Sequence, residues 1–230
     1  MTQTPKTIII RLLWVISAYV ALLLLAGHYG HMITHPIRLF VTTLHELGHG
    51  FGAIISGGKV VSIDVNLDGS GLTITQGGQR GLILLGGYIG SAILGNLLFL
   101  MGVYAGSIAR VSLISIGLVM IISALIWYSG LMSSFIQIAF GAGLLCLGYK
   151  KWIIAETLMF LGLASLIHII SDFNVGPRSD LHAYAELFPL TPAGLWAYIW
   201  LFIVLLMTGL NLWGLKLWFA FKTKQTQPDI

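Results

Sequence analysis

The sequence predicts an all-α polytopic membrane protein with about six to seven transmembrane helices and one short membrane-associated β-hairpin. Three observations predict it. Of 230 residues, 57% are hydrophobic and only 9% charged, whereas a soluble domain carries about 25% charged residues. The apolar residues gather in runs of about 20, the length that crosses a bilayer as a helix. One stretch, residues 59–76, instead alternates apolar and polar positions around a glycine-rich turn, which is a hairpin signal. No shift in composition marks off a second unit, so residues 1–230 are expected to form one integral membrane domain.

The remaining composition excludes several function classes. The net charge of +4 is small and sits mostly in short loops and the tail. It reads as topology signal rather than a nucleic-acid footprint. Cys146 is the only cysteine, so neither an internal disulfide nor a thiolate zinc site is available. Any zinc must be held by histidine and carboxylate.

Residues 8–27 form the first apolar run. Lys6 and Arg11 precede or open it as in a signal peptide, but the run is long enough to span and is expected to be a retained helix. His28, His31 and His35 follow in a short polar link. Pro36 suits the first turn of the next helix, which is expected to continue to about Ser56. Its second half holds His45-Glu46-Leu47-Gly48-His49. Residues four apart on a helix share a face, so two imidazoles so spaced can converge on one Zn²⁺. Glu46, one residue from the first ligand, is placed to take a proton from a water that the metal has made acidic. With seven histidines and three glutamates in the chain, chance gives H-E-x-x-H in roughly one such chain in 400, a small false-positive risk. Ionisable residues at membrane depth are costly and mark function by default.

Val61, Ile63, Val65 and Leu67 alternate, Asp68-Gly69-Ser70-Gly71 makes a turn, and Leu72 and Ile74 alternate again. Such a hairpin either caps helix ends or holds an extended substrate by strand addition. Residues 82–105 form the next span. Its small residues at four-residue spacing, Gly86, Gly87, Gly90, Ser91 and Gly95, suit close packing on the glycine-rich motif helix. Asn96 is the polar exception, a residue that either bonds substrate backbone or pins packing. Residues 108–128, 131–149 and 152–170 are three further apolar segments without chemistry of their own, the first two joined tightly by Ser129-Gly130. Residues 171–191 break the pattern with Asp172, Asn174, Asp180, His182 and Glu186. Ser179 there is an expected N-cap for a short helix over 180–188. Thr191-Pro192 opens the last span, to about Phe221.

A catalytic zinc needs three protein ligands and one open position. The motif supplies two. Asp172, Asp180, Glu156, Glu186, His168 and His182 all stand as candidates for the third, with His168 on the same face as Asp172 and able to orient it.

The chain resembles the site-2-type intramembrane zinc metalloproteases, and most closely a compact bacterial branch without a PDZ domain. The resemblance rests on the H-E-x-x-H, on Gly57-Gly58-Lys59-Val60 after it, and on Asp68-Gly69-Ser70-Gly71-Leu72-Thr73. Gly86-Gly87-Tyr88-Ile89-Gly90 and Ser179-Asp180 leading to Leu187, Pro189 and Trp196 complete it. It implies a multi-pass protein of the bacterial inner membrane that hydrolyses peptide bonds in or near transmembrane segments of other proteins. It further implies His45 and His49 as zinc ligands, Glu46 as the catalytic carboxylate and a late aspartate as third ligand, Asp180 ahead of Asp172. The Asn-x-x-Pro-x-Asp-Gly signature of that group is absent, since neither aspartate precedes a glycine. That departure favours the alternative, a non-catalytic pseudoprotease or scaffold that binds partner helices.

Overall fold

The structure is a computed structural model and describes residues 5–26, 30–104, 107–150, 153–171, 176–177 and 179–225. It contains α1 (Pro5–Ala26), α2 (Gly30–Ile55), β1 (Lys59–Val65), β2 (Gly71–Gln76) and α3 (Arg80–Tyr104). These are followed by α4 (Ser107–Ile126), α5 (Leu131–Gly148), α6 (Ile154–Ser171), α7 (Asp180–Ala185) and α8 (Ala193–Gln225). Among the described residues five helices, α1, α3, α4, α5 and α8, are long and apolar enough to cross a membrane, and α6 carries a shorter apolar stretch, Ile154–Ile169. With the short hairpin they make the all-α polytopic membrane fold expected, although α2 is not among the five. The protein is an integral multi-pass membrane protein. Its outward side chains, such as Trp14, Leu24, Leu125 and Phe202, are the large apolar ones, as a lipid solvent requires.

α2 begins earlier than expected. Pro36 lies inside it rather than in its first turn. A proline interrupts one backbone hydrogen bond, which membrane helices tolerate because neighbouring groups re-satisfy the freed carbonyl. His35 is therefore helical, while His28 lies outside the described residues.

Glycine sets how closely the helices approach. Gly48 of α2 lies against the Gly86 backbone of α3, and a Cβ on Gly52 would stand 2.5 Å from the Leu82 carbonyl oxygen. Only a missing side chain permits such contact, the interface chemistry membrane helices favour. Next to this contact α3 widens into a π-turn over Gly86–Gly90. Turns of this kind occur mostly as single insertions and often at functional sites. The Ser91 hydroxyl donates to the Gly87 carbonyl, covering a backbone group that the wider turn displaces.

α3 and α6 also meet through glycines: a Cβ on Gly102 would stand 2.7 Å from the Ala155 carbonyl oxygen, and one on Gly162 2.6 Å from the Gly95 carbonyl oxygen. α1 is tied to α6 by Arg11 and Glu156, 2.8 Å apart. Asn96, on α3, accepts a 2.7 Å hydrogen bond from the Asn211 amide of α8. It thus pins two spans together.

The hairpin is antiparallel, with Ile63 opposite Thr73 and Val65 opposite Gly71. Its turn is set by Asp68, which accepts from the Ser70 hydroxyl at 2.6 Å and the Ser70 N–H at 2.8 Å. Those bonds hold the Asp68 carboxyl below the usual carboxylate range. The β1 edge is sealed by the α4–α5 corner. Ile63 N–H donates to the Trp127 carbonyl at 3.0 Å, Ser129 Oγ donates to the Ile63 carbonyl at 2.9 Å, and Val65 N–H donates to Ser133 Oγ at 2.8 Å. Because Ile63 and Val65 turn their backbone groups away from β2, their partners Thr73 and Gly71 turn theirs away from β1. That second edge faces no backbone of another element among the described residues.

Candidate metal centre

Helical periodicity places Arg38, Thr42, His45 and His49 along one face of α2, where they line a cavity of about 490 Å³. The opposite face carries Phe40, Leu44 and Leu47 into the core. The two motif histidines lie edge to face with ring centroids 4.7 Å apart. Asp180 reaches them from α7. His45 Nε2 lies 2.9 Å from Asp180 Oδ2, His49 Nε2 lies 3.2 Å from the same oxygen, and the two Nε2 atoms are 3.0 Å apart.

Further contacts fix each of these groups. His49 Nδ1 is 2.7 Å from the Ile83 carbonyl oxygen. A carbonyl only accepts, so Nδ1 donates to it and the ring turns Nε2 to the centre, as in metal sites where a backbone acceptor orients the imidazole. His45 is braced by the Tyr88 ring, edge to face at 4.8 Å. Tyr88 contacts Trp200, which contacts Tyr184 of α7 at 5.0 Å. A run of rings thus links a histidine of α2 to the helix that carries Asp180. Ser179 caps that helix by accepting from His182 N–H at 3.1 Å, and Leu181 and Tyr184 anchor it in the core. Burial raises the Asp180 pKa, but the hydrogen bonds and charge of His45 and His49 outweigh it. The Asp180 carboxyl is held well below the usual carboxylate range, in the ionised form that binds a metal.

The donor set fits a metal ion. Without a metal, imidazole protons bridge these nitrogens to the Asp180 carboxylate; a metal ion would take the place of those protons. Tetrahedral zinc with ligands at 2.0–2.2 Å separates neighbouring ligand atoms by about 3.3–3.5 Å, within a few tenths of the 2.9–3.2 Å seen here. The space beside them is kept open by Gly87 of the π-turn: a Cβ there would stand 2.6 Å from both Nε2 atoms. Among the described residues, His45, His49 and Asp180 are the one group of three or more His, Cys, Asp or Glu side chains that can hold a metal ion.

Glu46 is buried beside this group, its carboxylate 2.7 Å from the Thr73 hydroxyl of β2. Thr42 Oγ1 donates to the Gly69 carbonyl at 2.9 Å and pins the hairpin turn to α2.

The other candidates divide clearly. Asp172 lies outside the described residues. Glu156 pairs with Arg11, Glu186 faces Arg80 and His182 at the surface, and Asn96 does not line the cavity. His168 does line it. Sequence reasoning missed the Ile83 carbonyl, Tyr88 and Thr73 as supporting groups. Only Thr73 left a signal, lying two residues from Gly71 on the strand face turned inward.

Side chains that can hold a metal, gathered from two helices of a membrane-embedded bundle beside a buried glutamate and a cavity, fit the architecture of a membrane metallopeptidase. The chain belongs to the Peptidase M50B-like family, the site-2-type intramembrane metallopeptidases, whose family model matches residues 15–211. Peptidases of this family are metal-dependent. No curated protein and no solved structure matches the chain.

Proposed function

We propose that the chain is an active intramembrane zinc endopeptidase that hydrolyses peptide bonds in or near transmembrane segments of other membrane proteins. In this reading His45, His49 and Asp180 hold Zn²⁺, Glu46 is the catalytic carboxylate, and residues 1–230 act as one domain. Resemblance to the compact bacterial branch puts it in the bacterial cell membrane. The observation that carries the reading is the convergence of three ligand atoms beside a buried carboxylate and an open strand edge.

When bound, the metal supplies Lewis acidity, polarising a peptide carbonyl and acidifying water. The chain's own residues do the rest. Gly71 and Thr73 offer main-chain N–H and C=O groups to a locally unwound substrate, which pairs as a third strand. Glu46 takes a proton from the attacking water as its oxygen bonds the carbonyl carbon. As the C–N bond breaks, the same carboxyl returns that proton to the leaving amine. Exposed Leu72 and Ile74, on the outer face of β2, provide an apolar surface for substrate side chains. The cavity admits the water that a bilayer otherwise excludes.

The test is Glu46→Gln in protein reconstituted with zinc and a fluorogenic transmembrane peptide carrying a helix-breaking Gly-Pro pair. The variant is expected to keep its zinc and lose cleavage by at least 10²-fold, the lower range for a general base. Cleavage at the wild-type rate would remove Glu46 from the mechanism. A wild-type protein that holds zinc and cleaves no membrane peptide would favour the pseudoprotease.

A further inference from the structure

We propose that Thr73 is a positioning residue for Glu46, and that it ties substrate register to the catalytic carboxylate. The inference rests on the endopeptidase reading above.

The Thr73 hydroxyl has two oxygens within reach, Glu46 Oε2 at 2.7 Å and the Glu46 carbonyl at 3.0 Å. It has one proton. The nearer oxygen is also the charged one, and hydrogen bonds to a charged acceptor are the stronger kind, so the proton goes to Oε2. Glu46 is only 5% exposed, so bulk water does not compete for that oxygen. With Oε2 occupied, Oε1 is the oxygen free for proton transfer. Gly71, two residues before Thr73, keeps it uncovered: a Cβ on Gly71 would fall on Glu46, 2.6 Å from Cγ. One face of β2 thus supplies a missing side chain at one oxygen and a donor at the other.

Strand propensity alone does not account for the hydroxyl, because valine has the same shape and suits a strand as well. The main chain adds the second half of the inference. Thr73 turns its own N–H and C=O to the open edge. A substrate strand that pairs there bonds the main chain of the residue whose side chain holds Glu46. Docking and carboxylate placement are therefore set by one residue, and a shift in register changes which peptide bond meets Oε1.

The experiment compares Thr73→Val and Thr73→Ser in the full chain, using the same transmembrane peptide and reading kcat and KM separately. Thr73→Val is expected to lower kcat about 10- to 100-fold, the range for a hydrogen bond to a charged group. Its KM should stay within about twofold, since the main-chain edge is intact, and its zinc content should not change. Thr73→Ser should return kcat to within about threefold of wild type, because it restores the donor. A melting-temperature cycle in metal-free protein reads the bond without catalysis. There Thr73→Val should cost about 3–12 °C in the wild-type background and clearly less in Glu46→Ala, where the hydroxyl keeps only the main-chain carbonyl of residue 46. Wild-type kcat in Thr73→Val, or equal losses in Val and Ser, would overturn the proposal. Should the wild-type chain cleave nothing, the endopeptidase reading fails, and an additive melting cycle would then sink the Thr73–Glu46 bond as well.

Discussion

Of the helix pairs in this bundle that meet through glycine, α4–α5 and α2–α3 differ most, and the second of them borders a site. In α4 and α5, Gly117 and Gly141 face each other's backbones. Every buried polar side chain at that interface has a partner: Ser123 donates to Gln137 Oε1 at 3.0 Å, and Ser134 donates to the Ala124 carbonyl at 3.3 Å. In α2 and α3, Gly48 and Gly86 make an equally close contact, but the adjacent polar atoms converge. His45 Nε2, His49 Nε2 and Asp180 Oδ2 are aimed at one another, and the His49 Nδ1 bond to the Ile83 carbonyl keeps Nε2 turned to the centre. Closed pairing is the mark of scaffold, since buried polar groups are satisfied. Three ligand atoms converging on one point, bridged by protons that a cation can replace, are the mark of a metal site.

The sharpest way to break that contrast is Asp180→Asn. The amide keeps the shape and removes the charge. Zinc affinity is expected to fall by more than about 100-fold, beyond the 10–100-fold usual for outer groups of a metal site, and cleavage with it. Equilibrium dialysis against buffered zinc reads this directly. Full zinc retention would move the third ligand elsewhere.

A matched pair of glycine variants comes next. In Gly87→Ala the new Cβ stands 2.6 Å from both imidazole Nε2 atoms, so zinc binding should drop about 10–100-fold, as for other disturbances around a metal. In Gly141→Ala the Cβ stands 2.6 Å from Ile121 Cγ1. That overpacking should cost about 1–3 kcal/mol of stability and leave zinc stoichiometry unchanged. Zinc titration and melting curves on both proteins separate a blocked site from a crowded scaffold. Equal zinc loss in the two would erase the distinction.

How much of this was legible in the sequence follows from range. His45, Glu46 and His49 lie within one helical turn, so their spacing alone states their geometry. The hairpin was legible because strand alternation is also local. The third member of the cluster was not, because Asp180 is 135 residues from His45 and nothing in its own neighbourhood separates it from Glu156 or Glu186. The resemblance to a family put it first, and the structure brings it to both imidazoles. Asn96 was open for the same reason: its partner Asn211 is 115 residues away. The π-turn was illegible because it arises where α3 must bend its glycines onto α2, a demand of packing rather than of the local sequence. Pro36 misled in the opposite direction, since a first-turn preference drawn from helix starts does not bar proline from the interior of a membrane helix.

The smallest expected effect tests the join between scaffold and site. Gln137 of α5 is 1% exposed, accepts from Ser123 through Oε1, and sets Nε2 3.4 Å from the Ile63 carbonyl of β1. Nε2 also donates to Ser133 Oγ at 3.3 Å, so leucine there removes three bonds. The Ile63 carbonyl keeps Ser129 at 2.9 Å, so the β1 edge is loosened rather than freed. Gln137→Leu should cost about 0.5–1.5 kcal/mol of stability per lost bond, read as a lower melting temperature, and slow cleavage by less than about tenfold. Zinc content should stay at the wild-type level, because no zinc ligand rests on α5. If zinc fell with cleavage, α4 and α5 would be shaping the metal centre itself, and the division between a satisfied pair and a convergent pair would not hold.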